Sequence, residues 1–232
     1  MKQQIKKWFF GTSGCFTIKA GIARGLDMYL DPQHATQVIL GLAEAEIAGR
    51  FKNLARQTDA FFDIGAASGY YSMIYRKYNA QGAIFLFDAE ESFLPIQMKN
   101  ILLNSDGHQV EQYALFVSEG KAPKHVSIDT FVEDHQLKSK RLFFKIDVDG
   151  GEENVLKGMQ KSMGECSCVF IIETHSIELE VNCRAILQQQ GYVVKVIPNA
   201  WWRIFIKENR PIPHNRWMYA YKPSNKKEKI SI

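Results

Sequence analysis

Short, nearly unbroken apolar runs alternate with segments of helical periodicity from about residue 60 to residue 221. The runs at 60–64, 83–87, 109–117, 142–146, 168–172, 192–197 and 217–221 have the length and β-branched or aromatic content of strands. Helices are predicted over 68–78, through 97–103 with Ser92 as cap and Pro95 in the first turn, from Ser127, from Gly150-Gly151-Glu152-Glu153, and over 177–190 up to Gly191. Strands apolar along their whole length must be covered on both faces, which predicts an α/β fold with a mostly parallel sheet. No good helix joins the last two strands, so they are expected to form an antiparallel hairpin at the sheet edge.

The pattern divides the chain into three parts. Residues 1–59 read as an N-terminal extension, with a β segment around 21–30 and one helix over 32–56. Residues 60–222 form the α/β domain, and 223–232 a basic tail.

Composition narrows the classes. The 232 residues are 46% hydrophobic and 23% charged, ordinary for a globular chain, and the net charge of +4 is too weak to imply nucleic acid. The start of the chain is basic and then apolar, superficially like a signal peptide, but glycine and polar residues interrupt it at once. No run approaches the roughly 20 apolar residues of a membrane span. Cys15, Cys166, Cys168 and Cys183 show neither a disulfide framework nor zinc spacing. A cytoplasmic protein without membrane insertion is expected.

Open α/β sheets bind ligands at the carboxyl ends of their strands, so the residues after each strand carry the chemistry. The first strand runs into Asp63-Ile64-Gly65-Ala66-Ala67-Ser68-Gly69-Tyr70-Tyr71. Gly65 lets the chain turn and a ligand approach its backbone; Gly69 lets the next helix pack close. Asp63 can meet a cationic group. The diphosphate-binding G-x-G-x-x-G is missing, which disfavours a nicotinamide dinucleotide. Asp88 ends the second strand, 25 positions later, near the spacing at which an acid chelates ribose hydroxyls, with Ala89 beside it. Lys145, Asp147 and Asp149 alternate onto one side after the fourth strand. They can position a substrate or hold a hard divalent ion; two acids without a clear third ligand make a weak metal signal, and no metal ligand is assigned. His175, in Glu173-Thr174-His175 after the fifth strand, is a candidate general base. Trp201 and Trp202 follow the sixth strand and can stack on a flat or sugar acceptor, or simply pack a hairpin.

These motifs together resemble the FkbM family of S-adenosylmethionine-dependent methyltransferases, over roughly 20–222. The most specific match is Lys145-Ile146-Asp147-Val148-Asp149-Gly150-Gly151-Glu152, followed by Val155-Leu156-Lys157-Gly158, against the family's K-I-D-V-E-G-x-E and L-K-G. Glu173-Thr174-His175 is similar to its E-x-H strand end, Lys99 to Asn104 to its Asn-containing helix, Ser127-Ile128-Asp129-Thr130-Phe131 to its LD-x-[FL] segment, Gly41 to Glu44 to a G-x-x-E, and Asn215-Arg216-Trp217 to an N-R-W. Two acids depart from the pattern: Asp88-Ala89 stands for Glu-Pro, and Asp149 for the Glu of V-E-G.

The resemblance implies a Rossmann-like class I methyltransferase sandwich with a seven-stranded sheet. It implies S-adenosyl-L-methionine as cofactor, bound by Asp63, Gly65, Ala66, Gly69, Tyr70, Asp88 and Ala89. Methyl transfer to a hydroxyl of a sugar, glycan or other natural product is implied, with His175 as base and Asp147 and Asp149 orienting the acceptor. Glu44, Lys145, Glu173, Trp201 and Trp202 would face that acceptor. A non-catalytic interaction protein of the same fold and a protein or nucleic-acid methyltransferase stay open as alternatives, as does homo-oligomer formation.

Overall fold

The computed structural model describes residues 13–120, 122–198 and 214–223. A two-stranded antiparallel ribbon comes first, β1 (Gly14–Thr17) with β2 (Asp27–Leu30). Two helices follow, α1 (Pro32–Leu40) and α2 (Ala45–Ala55). The expected single helix over 32–56 is therefore broken. Gly41 ends α1 in the left-handed region at φ 72°, and its N–H reaches back to Gln37 and Val38 carbonyls. A side chain at Gly41 would stand 2.1 Å from the Ala20 carbonyl oxygen, so the ribbon can lie against the break only because glycine is there.

The α/β part then runs β3 (Ala60–Ile64), α3 (Tyr70–Tyr78), β4 (Ala83–Asp88), α4 (Leu94–Asn104) and β5 (Val110–Ala114). A short parallel pair, β6 (Phe116–Val117) and β7 (His125–Val126), precedes α5 (Ile128–Asp134) and β8 (Arg141–Ile146). After these come α6 (Glu152–Lys157), α7 (Gln160–Glu165), β9 (Ser167–Thr174), α8 (Ile177–Gln189), β10 (Val193–Ile197) and β11 (Arg216–Tyr221). Two expectations change here. The run at 109–117 is two strands, because the chain leaves β4 after Ala114 and pairs with β7 instead. Ser92 does not cap α4; it lies in a single 3₁₀ turn, Glu91–Phe93, and its hydroxyl donates to Glu90.

The seven strands pair in the order β10-β11-β9-β8-β3-β4-β5, with β11 antiparallel to both its neighbours. The edge hairpin is thus present, with the later strand turned inward. Strand order reverses between β3 and β8. The chain winds one way from β3 to β5 and the other way from β8 onward, which opens a crevice at their carboxyl ends.

Alternation sorts the side chains. Phe62, Phe144, Phe170, Ile172 and Met218 face α5 to α8. Phe61, Phe143, Val169, Ile171 and Trp217 face the N-terminal helices, where Ile47 and Phe51 join them. Each such side chain contributes about 1.5–3 kcal/mol on full burial. The N-terminal extension is therefore part of the core and covers one sheet face. The same parity carries Asp63, Lys145 and Glu173 to that side at the strand ends. Among the described residues, no helix is long and apolar enough to cross a membrane.

Candidate functional site

The glycine turn after β3 is held from both sides. Gly65 and Ala66 donate their backbone N–H groups to the Phe87 carbonyl at 2.9 and 3.0 Å, and Asp147 N–H donates to Ile64 O at 2.9 Å. Gly65 sits at φ 77°, and a Cβ there would lie 1.8 Å from the Asp147 carbonyl oxygen. The turn, the end of β4 and the end of β8 thus meet at the switch point.

Asp88 occupies the β4 side. Its Oδ2 accepts Ala67 N–H at 2.9 Å and its Oδ1 accepts Glu90 N–H at 3.0 Å. Ala67, a non-glycine residue at φ 44°, is fixed by that bond. Asp88 is half-buried, and Ala67 and Ala89 beside it are exposed, so both carboxylate oxygens keep lone pairs toward an open surface. Beneath the turn lies Gln97, which is buried. Its amide donates to Ala67 O at 3.0 Å, while Oε1 has no hydrogen-bond partner. Asn100 ties the Ser68 carbonyl at 2.8 Å to Tyr29 N–H at 2.6 Å, joining the turn to the edge of β2. A pre-bent backbone, a spare carboxylate and a buried unpartnered acceptor suit a polar nucleoside-like group.

Asp63 has a different place from the one expected. The cation it meets is internal, Lys145 Nζ at 3.9 Å, and its Oδ2 accepts both N–H and O–H of Ser72 in the first turn of α3. It is only 1% exposed, and it braces the strand, the helix and the lysine rather than facing a ligand. Burial pushes its pKa up to about 6 against the pull of Lys145 and Ser72. Gly69 is buried at the N-cap of α3; Tyr70 is half-buried, its ring edge-on to Tyr71 at 5.2 Å.

The β8 side is crowded with charge. Lys145 Nζ lies 2.9 Å from Asp147 Oδ2. Burial works against the ammonium, but Asp147 and Asp63 hold its pKa above the ordinary value. Burial likewise opposes ionisation of Asp147; Lys145 and Glu173 overcome it and bring its pKa down. Glu173, 2% exposed and beside Asp147, is pushed far upward by burial and by that neighbour. Glu44, at φ 44° ahead of α2, accepts the Tyr71 hydroxyl proton, and its charge acts on Lys145 and Glu173.

His175 is the hub. Its Nδ1 is bonded to Glu152 Oε1. Its Nε2 lies 3.3 Å from Asp149 Oδ1, 3.6 Å from Asp147 Oδ1 and 3.7 Å from Glu173 Oε2. Burial lowers the imidazole pKa, but Glu152, Asp147 and Asp149 more than reverse that. The structure therefore brings together His175, Asp147, Asp149, Lys145, Glu173 and Glu44. Trp201 and Trp202 lie outside the described residues. Sequence reasoning missed the part of Glu152, fully buried at the start of α6 and noted only at a helix start and in the family match. Its place as last acid of the K-I-D-V-E-G-x-E match was the available signal. The expectation of only two acids also changes, since β9 supplies Glu173 and His175 as further donors next to Asp147.

Comparisons with known proteins bear on the fold. Residues 88–194 match the family described as Methyltransferase FkbM domain. No curated protein matches. Among solved structures, Methyltransferase FkbM from Methylobacillus flagellatus superposes with a TM-score of 0.55 at 16% identity, covering 71% of this chain and 44% of that one. The chain thus spans less than half the length of that relative. Precorrin-6y C5,15-methyltransferase from Geobacter metallireducens gives 0.52 at 16% identity, over 78% of this chain and 87% of the other. A structure titled putative rRNA-methylase from Clostridium thermocellum gives 0.51 at 12% identity, over 76% and 95%. These likenesses establish the fold, a Rossmann-like methyltransferase sandwich.

Proposed function

We propose, from the match of residues 88–194 to the methyltransferase FkbM domain, S-adenosylmethionine-dependent methyl transfer to a hydroxyl oxygen of a sugar, glycan or other natural product, in a cytoplasmic setting. One observation carries the reading. The glycine turn is bonded on one flank to Asp88, through Ala67 N–H, and on the other to the backbone of Asp147. A nucleoside-binding half and a charged half therefore adjoin through one loop.

Bound at this turn, S-adenosylmethionine would supply a methyl on a positive sulfonium, so that a carbon–oxygen bond to the acceptor would form as the carbon–sulfur bond breaks with its electron pair left on sulfur. The chain's own residues do the rest. Asp88 accepts from vicinal hydroxyls, and Gln97 Oε1 offers an acceptor below them. The surplus of carboxylates around Lys145 and His175 favours positive charge in the cleft. Asp147 and Asp149 orient the acceptor, Glu44 and Glu173 flank it, and handling of the hydroxyl proton falls to His175, whose Nε2 faces the acids.

The test is transfer of label from methyl-labelled cofactor to a panel of hydroxyl-bearing sugars, glycans and small natural products. The reading expects labelled ether product, lost in Asp88→Ala. Label arriving only on nitrogen or carbon acceptors would overturn the oxygen assignment.

A further inference from the structure

The cluster around His175 has the composition and spacing of a cation site. Asp147, Glu173 and His175 each present one donor atom, and the three atoms lie within 4.8 Å of one another. His175 Nε2 stands 3.6 Å from Asp147 Oδ1 and 3.7 Å from Glu173 Oε2. Donors about 2.1 Å from a shared ion are about 3 Å apart when adjacent and about 4.2 Å apart when opposite. The two separations from His175 fall between those limits.

The His175 side chain is only 7% exposed, and Nε2 has no hydrogen-bond partner. A buried ring nitrogen left in this state needs a ligand. The other nitrogen explains which ligand. Nδ1 is bonded to the carboxylate of Glu152, itself fully buried. In the neutral ring the carboxylate acceptor places the proton on Nδ1 and directs the Nε2 lone pair at the two acids, so a cation bound there takes the place of the proton that the same carboxylates otherwise favour. Carboxylate–histidine–metal triads have this form. Asp147 divides its oxygens to match, with Oδ2 on Lys145 at 2.9 Å and Oδ1 toward His175.

We propose that Asp147 Oδ1, Glu173 Oε2 and His175 Nε2 bind a divalent first-row cation, with Glu152 orienting the imidazole. One nitrogen and two carboxylates suit Mn²⁺ or Zn²⁺. Asp149 Oδ1, 3.3 Å from Nε2 on a 70% exposed side chain, stands at the open side. The inference rests on the methyl-transfer reading and refines the part of His175 in it. Asp147, Glu173 and His175 would hold the ion, which would supply acidification of a neighbouring hydroxyl, and Asp149 at the open side would take that proton toward solvent.

Mn²⁺ added to the purified full chain tests this by electron paramagnetic resonance. The expected result is one Mn²⁺ per chain with electron spin-echo modulation from an imidazole nitrogen. In His175→Gln the modulation disappears and affinity falls at least about tenfold; in Glu152→Gln affinity falls about 10–100-fold with the modulation retained. The wild-type spectrum decides the matter even if a variant misfolds. No saturable Mn²⁺ binding, or bound Mn²⁺ without nitrogen modulation, overturns the site. A parallel titration with S-adenosylhomocysteine separates the two readings. Its binding without Mn²⁺ removes only the cation site. Mn²⁺ binding without it removes only methyl transfer.

Discussion

Gly65→Ala probes the junction on which the layout depends. The new methyl would stand 1.8 Å from the Asp147 carbonyl oxygen and 2.8 Å from its carbon, where real contacts stay beyond 3.0 Å. Both partners are main chain, so neither can rotate away. Either the turn or the end of β8 must move by about 1 Å, an overpacking that costs about 1–3 kcal/mol. The left-handed φ of 77° adds about 1–2 kcal/mol for a residue with a side chain. Loss of glycine's freedom in the unfolded chain offsets about 0.4–1 kcal/mol. The net expectation is about 2–4 kcal/mol of lost stability, a fall in melting temperature of about 4–16 °C. Urea denaturation measures the first quantity and thermal melting the second. Because the movement displaces Asp147 as well as the turn, S-adenosylhomocysteine affinity should fall too. A variant within about 0.5 kcal/mol of wild type, with unchanged affinity, would refute the close contact of turn and β8.

Three further outcomes are expected. Lys145→Met leaves Asp63 and Asp147 buried without their cation, at a cost of about 3–5 kcal/mol in urea denaturation; adding Asp63→Asn should restore part of it, and a double variant no more stable than the single one would contradict the pairing. His175→Gln should abolish turnover while S-adenosylhomocysteine binding, followed by calorimetry, persists; retained turnover removes His175 from the chemistry. The folded-state pKa of His175 is raised above 6.5, so its ionic contribution is complete below the unfolded value and is lost as pH rises through the folded one. Melting curves should accordingly show the wild type's advantage over His175→Gln shrinking from pH 6 to pH 9, and a growing advantage would reverse the sign.

Much of this architecture is legible in the chain because burial on two faces leaves continuous apolar runs. The strand at 60–64 and the helix capped by Ser127 coincide with their predicted places for local reasons: five apolar or shielded residues in the first case, a hydroxyl accepting Thr130 N–H in the second. What periodicity could not show depended on distant contacts. Gly41 breaks the N-terminal helix because Ala20 packs against it, and the run at 109–117 splits because β7 competes for its second half. The site follows the same division. The strand-end placement of Asp88, Asp147 and His175 was readable from the apolar runs before them. The retreat of Asp63 into a bond with Ser72, and the support of His175 by Glu152 from the next helix, are products of packing. Gln97 was invisible for the same reason, and Asn100, though part of the Asn-containing segment, gave no sign that it turns inward to the Ser68 carbonyl.

Calorimetric titration with S-adenosylhomocysteine tests whether the glycine turn and Asp88 together bind the sulfonium nucleoside. One saturable site per chain is predicted, weakened at least about tenfold in Asp88→Ala, which costs a bond to a charged acceptor worth about 1.5–3 kcal/mol. Absence of binding in the wild type, or equal affinity in the variant, would contradict it.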